Sequence, residues 1–268
     1  MRELDFSHAY VVPAYRYSPH LGECLDSLLS QTLASDIKVV TSTPHPEAEA
    51  ECTQRGIPYI THNPNRGIGP DWNAALRSTN AKWVTVAHQD DLYYSDFTAS
   101  VRDVATRDLG DEVVMMFCDY DEFTNEALRP KSRLLWIKTL LLHFGFVGRS
   151  AIRDGFSKRN ALRFACPIPC PAVTINSQRM HDGFDETFEI NLDWATWINA
   201  ADKPGYFVWI RRKLMGHRIH DSSETSAAIL DGRRKAEDFR ILSRLWPNWI
   251  AKRIVGSYGL AYSSNETE

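Results

Sequence analysis

The sequence predicts an α/β fold built on a doubly wound, mostly parallel sheet with a smaller lobe attached. Three observations lead there. Over the first 125 residues, short β-branched runs alternate with helical patterns, as crossover connections between parallel strands require. The adjacent pair Asp90-Asp91 follows an apolar run directly, at the strand end where ligands of such sheets bind. After Asn125 the composition turns abruptly basic.

Taken in order, residues 9–13 read as the first strand. Leu21, Leu25, Leu28 and Leu29 then recur at helical spacing. Residues 37–40 make a second strand, 47–55 a helix, 57–61 a third strand and 71–77 a short helix. A fourth strand, 83–87, runs into His88-Gln89-Asp90-Asp91. A helix over 96–106 leads to a fifth strand at 113–119. Farther on, 172–175 and 206–210 read as strands, 192–201 as a helix, and Ser223 as the cap of a long helix.

The 268 residues are 43% hydrophobic, enough to bury a sizeable core, which excludes a disordered chain. A formal charge of -3 gives no overall attraction to nucleic acid. Locally the picture differs: residues 129–163 hold nine basic residues against Asp154 alone, a charge of +8. A nucleic-acid binder would rest on that cluster only. The five cysteines, Cys24, Cys52, Cys118, Cys166 and Cys170, are odd in number and scattered, which points to a reduced compartment. Cys166 and Cys170 have no second pair at zinc spacing, so packing among Pro167, Pro169 and Pro171 is the preferred reading. No signal peptide and no run of about twenty apolar residues is present, so the expectation is a cytoplasmic chain.

Asp90 and Asp91 at a strand tip suit a divalent metal held against a diphosphate, and their hard oxygens favour magnesium or manganese. Adjacent aspartates also cap helices, which leaves both readings open.

Four stretches in order resemble the family 2 glycosyltransferases, inverting enzymes of GT-A fold. They are Val11-Val12-Pro13-Ala14-Tyr15 with Leu21 to Thr32, Asn63-Pro64-Asn65-Arg66-Gly67 through Trp72 to Leu76, His88-Gln89-Asp90-Asp91, and Gly183-Phe184-Asp185-Glu186 with Asp193-Trp194. The resemblance spans residues 8–225. It implies a nucleotide-diphosphate sugar donor, Mn2+ or Mg2+, and a saccharide or lipid-linked acceptor. Together with the change of composition after Asn125 it divides the chain into four expected parts: nucleotide-sugar binding (1–125), a basic amphipathic insertion (126–165), an acceptor-side part carrying the base (166–225) and a helical tail (226–268).

Residue by residue, Pro13, Ala14 and Tyr15 would border the nucleotide base, although Tyr15 also fits a plain loop aromatic. Ser42, Arg66, Gly67, Asn73 and Asp90 would complete the donor site; Arg66 is equally an exposed arginine. Gly67 and Gly69 would let backbone approach the ligand. Asp90, Asp91 and His220 would hold the metal, with a structural role for His220 equally open and His217 a competing histidine. Asp193 would be the general base, unless it serves only the helix N-terminus, and Glu189 is the reserve. Two departures stand out. Thr41-Ser42-Thr43-Pro44 replaces the acid that often follows strand two, and His88 replaces the leading acid of the metal motif. A nucleotidyltransferase, or a binding protein without catalysis, is the alternative.

Finally, Leu134, Leu135, Trp136, Ile137, Leu140, Leu141, Leu142, Phe144 and Phe146, interrupted by Lys138 and His143, form an apolar stretch too short to span a bilayer of about 30 Å. Flanked by Arg129, Lys131, Arg133, Arg149 and Arg153, it reads as an interfacial helix on an anionic membrane surface, or else as a core helix. Trp246, Trp249, Ile250, Lys252, Arg253 and Ile254 repeat the combination and favour peripheral placement at the inner face of a membrane.

Overall fold

Alternating β-branched segments and amphipathic helices assemble into one nine-stranded sheet flanked by helices in a computed structural model, which describes residues 6–107, 109–124, 127–129, 133–219 and 232–264. The strands are β1 (His8–Ala14), β2 (Asp36–Thr41), β3 (Tyr59–Thr61), β4 (Trp83–Val86), β5 (Leu92–Tyr93), β6 (Val113–Phe123), β7 (Ala151–Ile152), β8 (Val173–Asn176) and β9 (Tyr206–Arg218). The order is β3-β2-β1-β4-β8-β6-β9-β5, with β7 pairing β9. β1 lies parallel to both β2 and β4, so the chain reverses its winding there. That reversal opens a crevice at the carboxyl ends of β1 and β4. β8 is antiparallel to both neighbours, which makes the sheet mostly but not wholly parallel.

The helices α1 (Leu21–Leu29), α2 (Pro46–Gln54), α3 (Ile68–Arg77) and α4 (Phe97–Ala105) fall where the periodicity puts them. Proline at the start of α2 suits a position whose N–H has no helical partner. On α1, Leu21, Cys24, Leu25 and Leu28 are buried, a stripe at helical spacing that packs onto the sheet. β6 continues to Phe123 and β9 to Arg218, both longer than their β-branched cores suggest, because the two pair with each other and carry polar residues to the strand tips.

The second part of the chain adds α5 (Arg133–Phe146), α6 (Gly155–Leu162), α7 (Leu192–Ala201), α8 (Arg233–Leu245) and α9 (Asn248–Ser264). Asp154 caps α6 by accepting the Ser157 N–H at 2.7 Å. α7 is buried almost all round, with Trp194 and Trp197 fully enclosed. Their indole N–H groups donate to the carbonyls of Leu162 and Ile168, which satisfies the polar ends of two large buried rings. Among the described residues no helix is long and apolar enough to cross a membrane. His220, Ser223 and Lys131 lie outside the described residues.

The basic apolar segment is both things the sequence allowed. One face of α5 is core: Leu135, Leu142 and Phe146 are buried, and Phe146 meets Phe117 and Trp209 edge-on. The opposite face is exposed, at Trp136, Ile137, Leu140 and Phe144.

Candidate active site

β1 and β4 deliver their ends side by side, and the loop after each is tied to the other. Gln89 accepts the Tyr15 N–H and donates to the Tyr15 carbonyl, both at 3.3 Å, so one amide clamps the backbone of the first loop. Tyr15 itself is 44% exposed, with the Arg16 guanidinium 5.1 Å from the centre of its ring. Pro13 and Ala14 end β1 directly beneath.

At the tip of β4 the two aspartates divide their labour. Asp91 is fully buried. Its Oδ1 accepts the Arg218 backbone N–H at 2.9 Å and faces His217 Nδ1 at 3.0 Å. Burial opposes charge on His217, yet the Asp91 charge and hydrogen bond outweigh it and raise the imidazole above its ordinary pKa. Asp90 is only half-buried. Its carbonyl accepts from Arg218 Nε at 2.9 Å, and the same guanidinium reaches Glu23 on α1 at 2.5 Å. Arg218 and His217 therefore lock β9 to the β4 tip, a role that nothing in their spacing announced.

The chemistry of this tip suits a cation. Ligand atoms of His88, Asp90 and Asp91 lie within 4.8 Å of one another. Asp91 Oδ2 and His88 Nε2 are buried without a hydrogen-bond partner, and such orphaned atoms call for a ligand. Burial, the largest influence on His88, lowers its pKa, so the ring is held neutral and retains a lone pair for a metal. Oxygen donors with one imidazole fit Mn2+ or Mg2+.

α7 places Asp193 in its first turn, as the sequence predicts. The carboxylate is partly buried, Oδ1 accepting the Trp194 N–H at 2.7 Å and Oδ2 lying 4.0 Å from Cys166 Sγ. Burial raises its pKa above the ordinary carboxylate value, against the pull of the Trp194 N–H, Arg234, His88 and Lys138. Asp193 and His88 lie close enough for each to influence the titration of the other, which brings the β4 tip and the start of α7 together. An aromatic chain links the β4 tip to α7: Trp72 lies 5.0 Å from His88 and 4.9 Å from Phe184, which lies 5.8 Å from Trp197. The reserve base, Glu189, has a side chain that is 76% exposed and meets Arg233.

α3 supports both halves of the site. Asn73 donates to the Phe184 carbonyl at 3.1 Å and to Glu186 at 2.7 Å, and accepts the Phe184 N–H at 2.7 Å. Asn73 is therefore a strut between α3 and the acceptor-side segment rather than a side chain open to the donor. Gly69 likewise approaches the Glu186 backbone, where the sequence suggested approach to a ligand. Gly67, at φ +103, does need glycine, and Arg66 beside it is exposed. Ser42, at the end of β2, donates to buried Asp71 at 2.6 Å, with His62 3.4 Å from the other Asp71 oxygen. A carboxylate is thus present near the end of strand two, supplied by α3. The spacing gave no sign of it.

Residues 10–182 match the model of Glycosyl transferase family 2. The chain belongs to this family. Its activity is that of a glycosyltransferase, on a GT-A fold. It is 20% identical over 250 residues to an uncharacterized glycosyltransferase of Rickettsia typhi, covering 90% of this chain and 71% of that one. Two solved structures have a similar fold. TarS 1–349 of S. aureus in complex with UDP-GlcNAc matches with a TM-score of 0.63 at 14% identity, over 94% of this chain and 71% of TarS. The mannosyltransferase PcManGT of Pyrobaculum calidifontis, in complex with GDP-Man and Mn2+, matches with a TM-score of 0.64 at 15% identity, over 96% and 75%. Against another crystal structure of TarS 1–349 the chain spans 60% of that length.

Proposed function

We propose that this glycosyltransferase is a metal-dependent, inverting enzyme that moves a sugar from a nucleotide-diphosphate donor to a hydroxyl of a saccharide or lipid-linked acceptor, in surface polysaccharide synthesis. The observation that carries this reading is the clustering of the His88, Asp90 and Asp91 ligand atoms at the β4 tip, with the raised carboxyl of Asp193 near enough to His88 to be influenced by it. Mn2+ bound to PcManGT, a protein of similar fold, supports the choice of cation.

In this reading Asp90, Asp91 through its Oδ2, and His88 would hold the cation, while the other Asp91 oxygen fixes the tip through Arg218. His220 is a further candidate ligand. The cation supplies positive charge against the diphosphate as it departs. Tyr15 offers a ring face to the base, and Pro13, Ala14, Ser42, Arg66 and Gly67 border the nucleotide. Asp193 takes the proton from the acceptor hydroxyl. The acceptor oxygen then bonds to the anomeric carbon on the face opposite the breaking carbon–oxygen bond, and the nucleoside diphosphate leaves with that electron pair, so the configuration inverts. Asp71 supports Ser42 at the base, taking the place of the acid absent after β2. The chain divides as 1–125 for the donor, 126–165 as basic insertion, 166–225 for the acceptor and 226–268 as helical tail, and works in the cytoplasm, peripheral at the inner face of a membrane.

A thermal-shift screen of UDP, GDP, CDP and dTDP with and without Mn2+ tests the donor site. A nucleotide at 100 times its Kd stabilises by about 2.7 kcal/mol. One nucleotide should respond strongly, and more with Mn2+ present; no response to any of the four would overturn the reading.

A further inference from the structure

We propose that the outer face of α5 is a docking surface for an anionic lipid bilayer, and that it sets the active site one helix diameter above the membrane. The inference rests on the peripheral placement proposed above. Trp136, Ile137, Leu140 and Phe144 are 56%, 39%, 38% and 66% exposed. At about 100° per residue their spacing gathers them into one stripe, an arc of about 100°. Val147, just past the helix, is 72% exposed, and Leu128, ahead of it, 65%. Scattered exposed apolar residues are ordinary; a stripe with its own tryptophan is not.

The inner face explains why the stripe cannot simply turn inward. Gly145 packs so closely on Ala161 that a Cβ at position 145 would stand 2.4 Å from the alanine methyl, and Phe146 is clasped by Phe117 and Trp209. The helix is therefore fixed in rotation.

Charge identifies the occupant. Arg149 follows α5 directly and is exposed, and Arg211 donates to its carbonyl at 2.8 Å while lying over the Trp209 ring. Neither arginine has an ion pair with a carboxylate among the described residues. A second copy docked face to face would bring these guanidiniums near their own counterparts, whereas anionic headgroups complement them. Indole at the headgroup level, aliphatic side chains below it and arginines at the rim are what an interfacial helix requires.

The consequence reaches the site. On the inner side of α5, Lys138 donates to Tyr120 at 3.2 Å and is close enough to bear on the charge of Asp193. One helix thus presents apolar residues to the lipid and an ammonium to the acceptor side, about 10 Å apart. A lipid-linked acceptor would leave the membrane and meet the base without the enzyme crossing the interface.

The full chain is sedimented with vesicles of phosphatidylcholine alone and of phosphatidylcholine containing about one-third phosphatidylglycerol. We expect at least about tenfold stronger association with the anionic vesicles, weakened when added salt cuts the screening length from about 10 to about 3 Å. Trp136→Ser with Phe144→Ser should abolish it without lowering the melting temperature. If that variant misfolds, quenching of tryptophan fluorescence by spin-labelled lipid decides: the quench must be present in the unmodified chain and largely gone in Trp136→Phe. Equal recovery in the supernatant with both vesicles, a quench unchanged in Trp136→Phe, or a dimer in sedimentation velocity that Phe144→Ser dissociates would each overturn the proposal. Transfer to a water-soluble saccharide is measured in parallel, so a failed docking surface and a failed catalytic reading give different results.

Discussion

The carboxylate of Glu237 accepts the backbone N–H of Asn191 at 2.9 Å, two residues before Asp193. The same side chain accepts the N–H groups of Ile190 at 3.0 Å and Glu189 at 2.8 Å, and Asp238 beside it accepts from the Asn191 side chain at 2.9 Å. α8 therefore satisfies the unpaired donors ahead of α7, which is where the proposed base is held. Glu237 is a positioning residue for Asp193.

Replacing Glu237 by alanine leaves three N–H groups without their acceptor. We expect a loss of at least about 2 kcal/mol in denaturant unfolding. The turnover number should fall by about tenfold or more as the base loosens, with nucleotide affinity unchanged. Isothermal titration with the nucleotide, alongside steady-state kinetics, separates the two effects.

The two aspartates at the β4 tip should separate in a similar way. Asp91→Ala leaves the buried Arg218 N–H without its acceptor and removes the partner of His217, which we expect to cost about 1–3 kcal/mol. Asp90→Ala should cost clearly less stability and abolish the gain in nucleotide affinity on adding Mn2+. Chemical denaturation of both variants, with nucleotide titrations at and without Mn2+, gives the comparison; retained metal dependence in Asp90→Ala would move the cation elsewhere.

Gly183 stands at φ +71, and a Cβ there would lie 2.3 Å from the Asn73 side-chain oxygen. Gly183→Ala therefore combines an unfavourable backbone with a clash against the strut. We expect a loss of more than about 1 kcal/mol. Asn73→Ala should exceed it, because it deletes three hydrogen bonds worth about 1 kcal/mol each and leaves the buried Phe184 N–H unpaired. Thermal melts of both variants check the order.

Much of the first half was legible because its physics is local. Apolar runs and helical stripes are written in neighbouring residues, so β1 to β4 and their helices fall within a few positions of expectation, and α7 falls at residues 192–201 as expected. Asp193 and the Asp90-Asp91 pair were legible for the same reason: each stands at the end of a recognisable element. What escaped was contact between distant segments. Gln89 clamps Tyr15 across 74 positions, Arg218 reaches Asp90 across 128, and Glu237 holds Asn191 across 46. No periodicity encodes such pairings. The function of α5 was ambiguous for another reason: its apolar residues run nearly all round the helix, and only the packing of Phe146 and Gly145 shows which face remained outside.

The last prediction concerns the charge on Asp193. Burial is the largest influence and raises its pKa, only partly offset by the Trp194 N–H and nearby cations. The folded state then holds this proton more tightly than the unfolded chain does. As pH rises from the ordinary carboxylate range through the raised value, the folded state is progressively destabilised relative to the unfolded one, and above the raised value the whole penalty applies. A neutral asparagine side chain at this position carries no such penalty. Asp193→Asn should therefore melt higher than the parent chain as the pH rises above the ordinary carboxylate range, with the difference vanishing below that range. Transfer should behave in the opposite way. A base must be ionised, so kcat/KM rises with pH through the raised value, on a limb displaced upward from that of a solvent-exposed aspartate, and in Asp193→Asn transfer drops by roughly 100-fold or more. Nucleotide affinity should not change, since the proposed donor site lies at the β1 and β4 tips. Melting curves and pH–rate profiles test both halves. A variant more stable and nearly inactive marks a carboxylate kept for catalysis at a cost to the fold, whereas one with unchanged transfer would place the base on another residue.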